Sequence, residues 1–280
     1  MDKPTGSLLL LFPCLWGLAF AYSGTHSLYA VGYIAVLFTV GSFVMRGAGC
    51  VWNDIMDADI DCRVARTATR PIPAGDISKR RALLFLCILL GIGFCVLVCL
   101  SIFSDSNMVF VLGISSLLLV AIYPLAKRIT YFPQVWLGLT FNWGALMGWA
   151  VMRGGVELPA ITLYIAGIFW TLGYDTIYAH QDKEDDLIVG VKSTAIYFGN
   201  HTKFALSIFY GMTIAMLGMS GYLVGVGLAY YITLIIPAFH LVYQIQKLDI
   251  DNPTSCLKLF NANKWFGLLI LLVIIMGKIL

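Results

Sequence analysis

The sequence predicts an all-α polytopic membrane protein with nine transmembrane helices, and three observations predict it. Residues of the AVILMFWYC set make up 60% of the 280 and charged residues only 12%, with a mean hydropathy of +0.86. A soluble chain carries about 25% charged residues, so this one lacks the polar groups to cover a globular surface. The apolar residues come in long runs instead of alternating, which selects helices over a β-barrel. Basic residues gather at every second connection between those runs, as the charge bias across a membrane requires. A net charge of +3 gives nucleic-acid binding no support.

Apolar stretches of about twenty residues place the spans at Ser7–Tyr22, His26–Val51, Ala82–Phe103, Met108–Leu125, Gln134–Val151, Leu158–Tyr178, Phe204–Val226, Ala229–Tyr243 and Trp265–Leu280. The first, led by Lys3 and holding Ala19-Phe20-Ala21, imitates a cleavable signal peptide. Pro13 within the run and the short basic lead argue against cleavage. Spans two and three are joined by Arg63, Arg66, Arg70, Lys79, Arg80 and Arg81. Lys127 and Arg128 follow span four, Lys183, Lys192 and Lys203 span six, and Lys247, Lys258 and Lys264 span eight. The alternate connections hold little beyond Arg153, so every even-to-odd connection faces the cytoplasm or an organelle matrix. No linker divides the chain, and residues 1–280 read as one domain. The seven cysteines lack a C-x-x-C pair and lie mostly in apolar runs, where they act as small hydrophobes.

The informative residues are acidic. Span two ends in Asn53-Asp54-Ile55-Met56-Asp57-Ala58-Asp59-Ile60-Asp61. If the helix continues, Asn53, Asp57 and Asp61 step by about 40° each and Asp54 falls about 20° beyond Asp61, so four oxygen-bearing side chains share a face. Asp59 points elsewhere. Span six ends in a second cluster, Asp175 and then Asp182-Lys183-Glu184-Asp185-Asp186. On the same arithmetic Asp175, Asp182 and Asp186 fall within about 40°. Both clusters lie at the same membrane side, and a two-fold arrangement of four-helix units would bring them together across a shared cavity. Converging carboxylates must take up protons or a cation. An all-oxygen donor set without His or Cys suits Mg²⁺, which bridges carboxylates to substrate phosphates. Neighbouring arginines and lysines supply phosphate partners. An ordinary solvated helix end explains one such cluster, but two on one side point to a metal–diphosphate site.

These residues resemble the UbiA superfamily of intramembrane prenyltransferases. Asn53 through Asp61 match its N-D-x-x-D-x-x-x-D motif, and Asp182 through Asp186 its D-x-x-x-D motif. Longer strings are similar to the branch that prenylates 4-hydroxybenzoate: Asp2-Lys3-Pro4-Thr5-Gly6, Arg70-Pro71-Ile72-Pro73-Ala74-Gly75, Tyr174-Asp175-Thr176-Ile177-Tyr178-Ala179 and Lys192-Ser193-Thr194-Ala195. Family members usually carry several residues before the first string, where this chain begins at Met1; a short natural N-terminus or a late start accounts for that. The resemblance implies nine helices around a central cavity. It implies Mg²⁺ held by Asn53, Asp54, Asp57, Asp61, Asp182 and Asp186, with Asp57, Asp61, Asp182 and Asp175 as the catalytic set. Arg63, Arg70, Lys127 and Lys192 would neutralise the diphosphate of a polyprenyl diphosphate, and the ring carbon ortho to the phenol of 4-hydroxybenzoate would attack the resulting allylic cation. Arg128 would take the aromatic carboxylate, with an ordinary topology anchor as its other reading. Tyr123 would lend its ring to the cation, or sit as an interfacial tyrosine. Asp175 would orient the phenol or take the ring proton, or only hydrogen-bond to groups that do. His180 and His201 read as exposed loop residues. A tail of tens of carbons requires a side opening to lipid.

A cation channel or transporter is the competing class, because carboxylates inside membranes mark ion paths. Here they sit at one end of the spans among basic residues instead of near mid-span. Related prenyltransferases with another aromatic acceptor fit the same motifs, whereas a CDP-alcohol phosphotransferase would need a D-G-x-x-A-R lead-in that is lacking. The bilayer is the expected partner besides the two substrates, with no obligate protein partner. Between a bacterial inner membrane and a mitochondrial one, the lack of an Arg/Ser-rich transit segment favours the bacterial.

Overall fold

The structure, a computed structural model, describes residues 5–62, 67–183, 187–188 and 190–279, the side chains of 60 and 127 aside. Among the described residues it is helical throughout. The helices are α1 Thr5–Ala21, α2 Leu28–Asp61, α3 Lys79–Ser104, α4 Asn107–Ile129, α5 Pro133–Phe141, α6 Trp143–Arg153, α7 Leu158–Ala179, α8 Thr194–Phe198, α9 Thr202–Val224, α10 Leu228–Lys247 and α11 Pro253–Ile279. Among the described residues eight stretches are long and apolar enough to cross a membrane. The 17-residue α1 adds a ninth at about 25 Å.

The expected spans correspond to helices with two corrections. Helix α11 begins at Pro253, well before the expected Trp265, so Lys258 and Lys264 lie within it instead of in a connection. The stretch over Gln134–Val151 is two helices, α5 and α6, broken at Asn142. The Asn142 side chain donates to the Gly138 carbonyl at 2.8 Å and to Thr171 Oγ1 at 2.8 Å. A break at membrane depth survives where side chains hold the chain to its neighbours in this way.

Helix α1 carries apolar residues on all sides, and a helix of that kind belongs in the interior. Leu9, Phe12, Trp16, Leu18 and Phe20 are buried as α1 packs on α6, α2 and α11. Helices α3, α4 and α10 instead expose Ile88, Ile102, Leu118, Ile232 and Phe239 to the acyl chains. The α1–α6 crossing depends on the Gly144-xxx-Gly148 pair, small residues that let two backbones meet. A Cβ at Gly148 would run into the Cys14 carbonyl oxygen, a backbone atom that cannot rotate away. Gly148→Val is therefore expected to cost about 3 kcal/mol, read as a fall in melting temperature of the detergent-purified protein; an unchanged melting temperature would show that α1 and α6 can part without loss.

Further out, Trp170 of α7, Tyr210 of α9, Gln244 of α10 and Asn263 of α11 form one buried network. Trp170 Nε1 donates to Asn263 Oδ1 at 2.9 Å, Tyr210 OH to Gln244 Oε1 at 2.8 Å, and Gln244 Nε2 to Asn263 Oδ1 at 3.3 Å. In lipid, such bonds tie helices that apolar contact alone would leave free to slide.

The structure corrects the ends of the acidic spans unequally. Helix α2 runs through to Asp61 as expected. Helix α7 stops at Ala179, and turn bonds follow it: Gln181 N to Tyr178 O at 3.0 Å and Asp182 N to Ala179 O at 3.4 Å. Asp182 is thus carried by a turn, and the helical spacing drawn from Asp175 does not extend to it. His180, expected to be exposed, is buried at 4% exposure, its Nε2 3.0 Å from Thr202 Oγ1. Burial pushes its imidazole down to about 4, with Lys183 adding to the effect. Its folded pKa lies below its unfolded one, so the contribution is complete above pH 6.5 and is lost as pH falls towards 4. Stability is expected to decline over that window by up to about 1.4 kcal/mol per pH unit from this group. The steepness should lessen in His180→Gln, measured by melting temperature against pH; equal slopes would contradict the assignment.

Candidate active site

Two cavities meet inside the helical ring. The smaller, of about 270 Å³, opens at the basic face. It is lined by Asn53, Asp54 and Asp61 from α2, Thr67 and Arg70 from the following connection, Asp175 and Asp182 from the α7 end, and Lys192 with Ser193 beyond. The larger, of about 530 Å³, is apolar and bounded by α1 to α6. Arg46, Gly49 and Tyr123 line both and form the passage between them.

The two acidic segments do come together, as the spacing on α2 and the common membrane side predicted. Arg70 Nη1 lies 2.8 Å from Asp54 Oδ1 and 2.9 Å from Asp61 Oδ2. Lys192 Nζ, on the opposite wall, donates to the Ile129 carbonyl at 3.1 Å and stands 5.2 Å from the Tyr131 ring centroid. Ser193 caps α8 by accepting from Ile196 N at 3.4 Å, and Gln134 Oε1 accepts from Thr194 N at 3.3 Å. These bonds fix the segment that brings Lys192 to the cavity.

Two expected site residues are not among the described lining of either cavity. Asp57, although within the α2 acidic arc, is wholly buried and meets Arg128 of α4, whose Nη2 is 3.4 Å from Asp57 Oδ1 and donates to the Met56 carbonyl at 2.8 Å. Arg128 therefore joins α4 to α2 from outside the cavity walls. Tyr123 lines both cavities. Arg63 and Asp186 lie outside the described residues, as does the Lys127 side chain.

Arg46 is the residue that sequence reasoning missed. It lies within the span-two run of apolar residues, its guanidinium 5.3 Å from the Phe141 ring centroid and at the passage it shares with Tyr123. The signal was available: an arginine within a membrane span marks a functional site by default. Asp175 lines the polar cavity beside it.

Chemically, the polar cavity presents oxygen donors on two walls and cations between and beyond them. Arg70 spans Asp54 and Asp61, and that contact shows that this carboxylate pair takes positive charge between its members. Oxygen donors of that kind fit a hard divalent cation such as Mg²⁺. The apolar cavity joined to it fits a hydrocarbon chain.

The chain belongs to the UbiA prenyltransferase family, whose sequence pattern it matches over residues 10–269. It is 47% identical to a protein of Drosophila pseudoobscura pseudoobscura and 47% identical to one of Bos taurus, each named 4-hydroxybenzoate polyprenyltransferase, mitochondrial. All of this chain is covered in both, with 69% of the first and 74% of the second. Its fold is that of a UbiA homolog from Aeropyrum pernix K1 (TM-score 0.75, 22% identity, 100% and 98% of the two chains covered). A UbiA homolog from Archaeoglobus fulgidus bound to GPP and Mg²⁺ has the same fold (TM-score 0.66, 18% identity, 97% and 96% covered). The relatives are eukaryotic and mitochondrial by name, which overturns the bacterial inner membrane favoured from the lack of a transit segment. That assignment rested on what precedes the family strings, and a chain spanning 69% and 74% of these relatives gives no information there.

Proposed function

We propose that this chain transfers a polyprenyl group from a polyprenyl diphosphate to the 3-position of 4-hydroxybenzoate, releasing pyrophosphate, as a step of ubiquinone biosynthesis in a mitochondrial membrane. The observation that carries this is the meeting of a carboxylate-lined cavity with an apolar one at a passage marked by Arg46. The donor is a charged head on a hydrocarbon tail, and the two cavities divide in the same way. Relatives at 47% identity bear the corresponding name. Residues from Leu10 to Ser193 line the two cavities, which supports treating residues 1–280 as a single domain.

Asn53, Asp54, Asp61 and Asp182 would hold Mg²⁺, which when bound draws charge from the diphosphate oxygens as a Lewis acid. Arg70 and Lys192 add fixed positive charge where the leaving group gains negative charge. The C–O bond of the donor breaks with its electrons going to pyrophosphate, and the allylic cation left behind faces Tyr123 and Phe141, whose rings stabilise it. Arg46 pairs with the carboxylate of 4-hydroxybenzoate, in place of Arg128, because its guanidinium and not that of Arg128 lines the passage. The ring carbon ortho to the phenol forms the new bond, and Asp175 at the same passage takes the ring proton. The apolar wall keeps water from the cation. Its α3–α4 side includes Phe94, Ile114 and Leu117, each lining the cavity and exposed, which fits the lateral route a long tail needs.

The test is incubation of the purified protein with geranyl diphosphate, Mg²⁺ and a panel of aromatic acids. The expected result is 3-geranyl-4-hydroxybenzoate with one pyrophosphate per product. Prenylation of a naphthoate but not of 4-hydroxybenzoate would overturn the acceptor.

A further inference from the structure

We propose that Arg70 sets the order in which the polar cavity loads: it is the resident counter-ion of Asp54 and Asp61, and it releases them when a diphosphate arrives, so that a divalent cation alone binds weakly. This rests on the cation–diphosphate reading of the cavity given above. Asp54 and Asp61 are seven residues apart on α2, about 10 Å along its axis and within about 20° of the same line. One nitrogen serves both, Arg70 Nη1 at 2.8 and 2.9 Å. Each carboxylate keeps its second oxygen outside these contacts, but a cation seated there lies beside the guanidinium and meets like charge unless the guanidinium moves away.

The backbone beneath Arg70 cannot follow it. Arg70 N donates to Thr67 O at 3.0 Å, Ala74 N donates to Arg70 O at 2.8 Å, and Thr67 Oγ1 is tied to the Asp61 carbonyl at 3.0 Å. Only the side chain is left to swing; it is 32% exposed and lines the polar cavity. Without an anion, a displaced guanidinium is left beside the incoming cation with both carboxylates taken, and like charges repel. With a diphosphate present it exchanges two carboxylates for phosphate oxygens, which it grips in a fork. Lys192 does not hold this carboxylate pair: its Nζ bonds to the Ile129 carbonyl and faces the Tyr131 ring on the opposite wall. The coupling is reciprocal, so the cation strengthens diphosphate binding by the same factor.

The test is Mg²⁺ affinity of the detergent-purified full chain, read as the Mg²⁺ concentration at half-maximal rise in melting temperature, without and with inorganic pyrophosphate. Arg70→Gln is expected to bind Mg²⁺ alone about ten- to a hundredfold more tightly than wild type, the range set by losing one charged hydrogen-bond competitor, and to gain less from pyrophosphate. Arg70→Lys, whose single point charge holds one carboxylate at a time, should fall between them, and it decides the matter if Arg70→Gln does not fold. Free guanidinium added to Arg70→Gln should weaken Mg²⁺ binding again. Should both variants bind Mg²⁺ alone no more tightly than wild type, while wild type responds to Mg²⁺ with pyrophosphate, Arg70 is not the competitor and the cation site stands. A wild-type protein that responds to neither would remove the cation site and this inference with it.

Discussion

Asp54→Asn or Asp182→Asn is expected to lower turnover about a thousandfold or more and to leave a folded, membrane-inserted protein. The substitution keeps the size and one oxygen of the side chain but removes the charge that draws a hard cation. Neither carboxylate is a core group: Asp54 is partly exposed and bonded to Arg70, and Asp182 stands on a turn at the cavity wall. Asp57→Asn should behave differently, because Asp57 is wholly buried against Arg128. Its loss weakens the α2–α4 contact, so a lowered melting temperature is expected along with reduced activity. Turnover measured beside melting temperature separates the two kinds of aspartate. Near-normal turnover in both Asp54→Asn and Asp182→Asn would remove them from the reaction.

Arg46→Gln is expected to raise the KM for 4-hydroxybenzoate about a hundredfold while changing the KM for the diphosphate little. The reason is position: Arg46 stands at the passage, one guanidinium on the route between a carboxylate-lined chamber and an apolar one. Arg128→Gln should leave that KM near wild type, because Arg128 is committed to Asp57 and the Met56 carbonyl. The reverse pattern would return the acceptor carboxylate to Arg128.

The span count was legible because it rests on a sum over many residues, and local irregularities such as Pro13 do not disturb it. The α2 acidic face was legible because α2 continues through it, so spacing converted directly into direction. The second face was not. Helix α7 ends at Ala179, and nothing in the run Tyr178 to Asp186 fixes where a helix gives way to a turn; the two acidic segments still converge because of how α2 and α7 pack. The break at Asn142 was hidden for a related reason, since one of the two bonds that hold it, to Thr171, is to a partner 29 residues away. Arg128 and Arg46 show the limit of residue type as a guide. One lies within span two and the other in the last turn of α4, and only the packing shows which one lines the cavities. His180 looked like loop because its burial comes from Thr202 and α9, far along the chain.

The most direct test of the central claim, that the α2 end and the turn after α7 act as one site, is the stoichiometry of bound Mn²⁺ in the presence of pyrophosphate for wild type, Asp54→Asn and Asp182→Asn. Loss of the same bound cations from both single variants is the result expected if the two walls share them. A variant at either wall that keeps the wild-type complement at wild-type affinity would show that the segments do not share a cation, and would contradict the account.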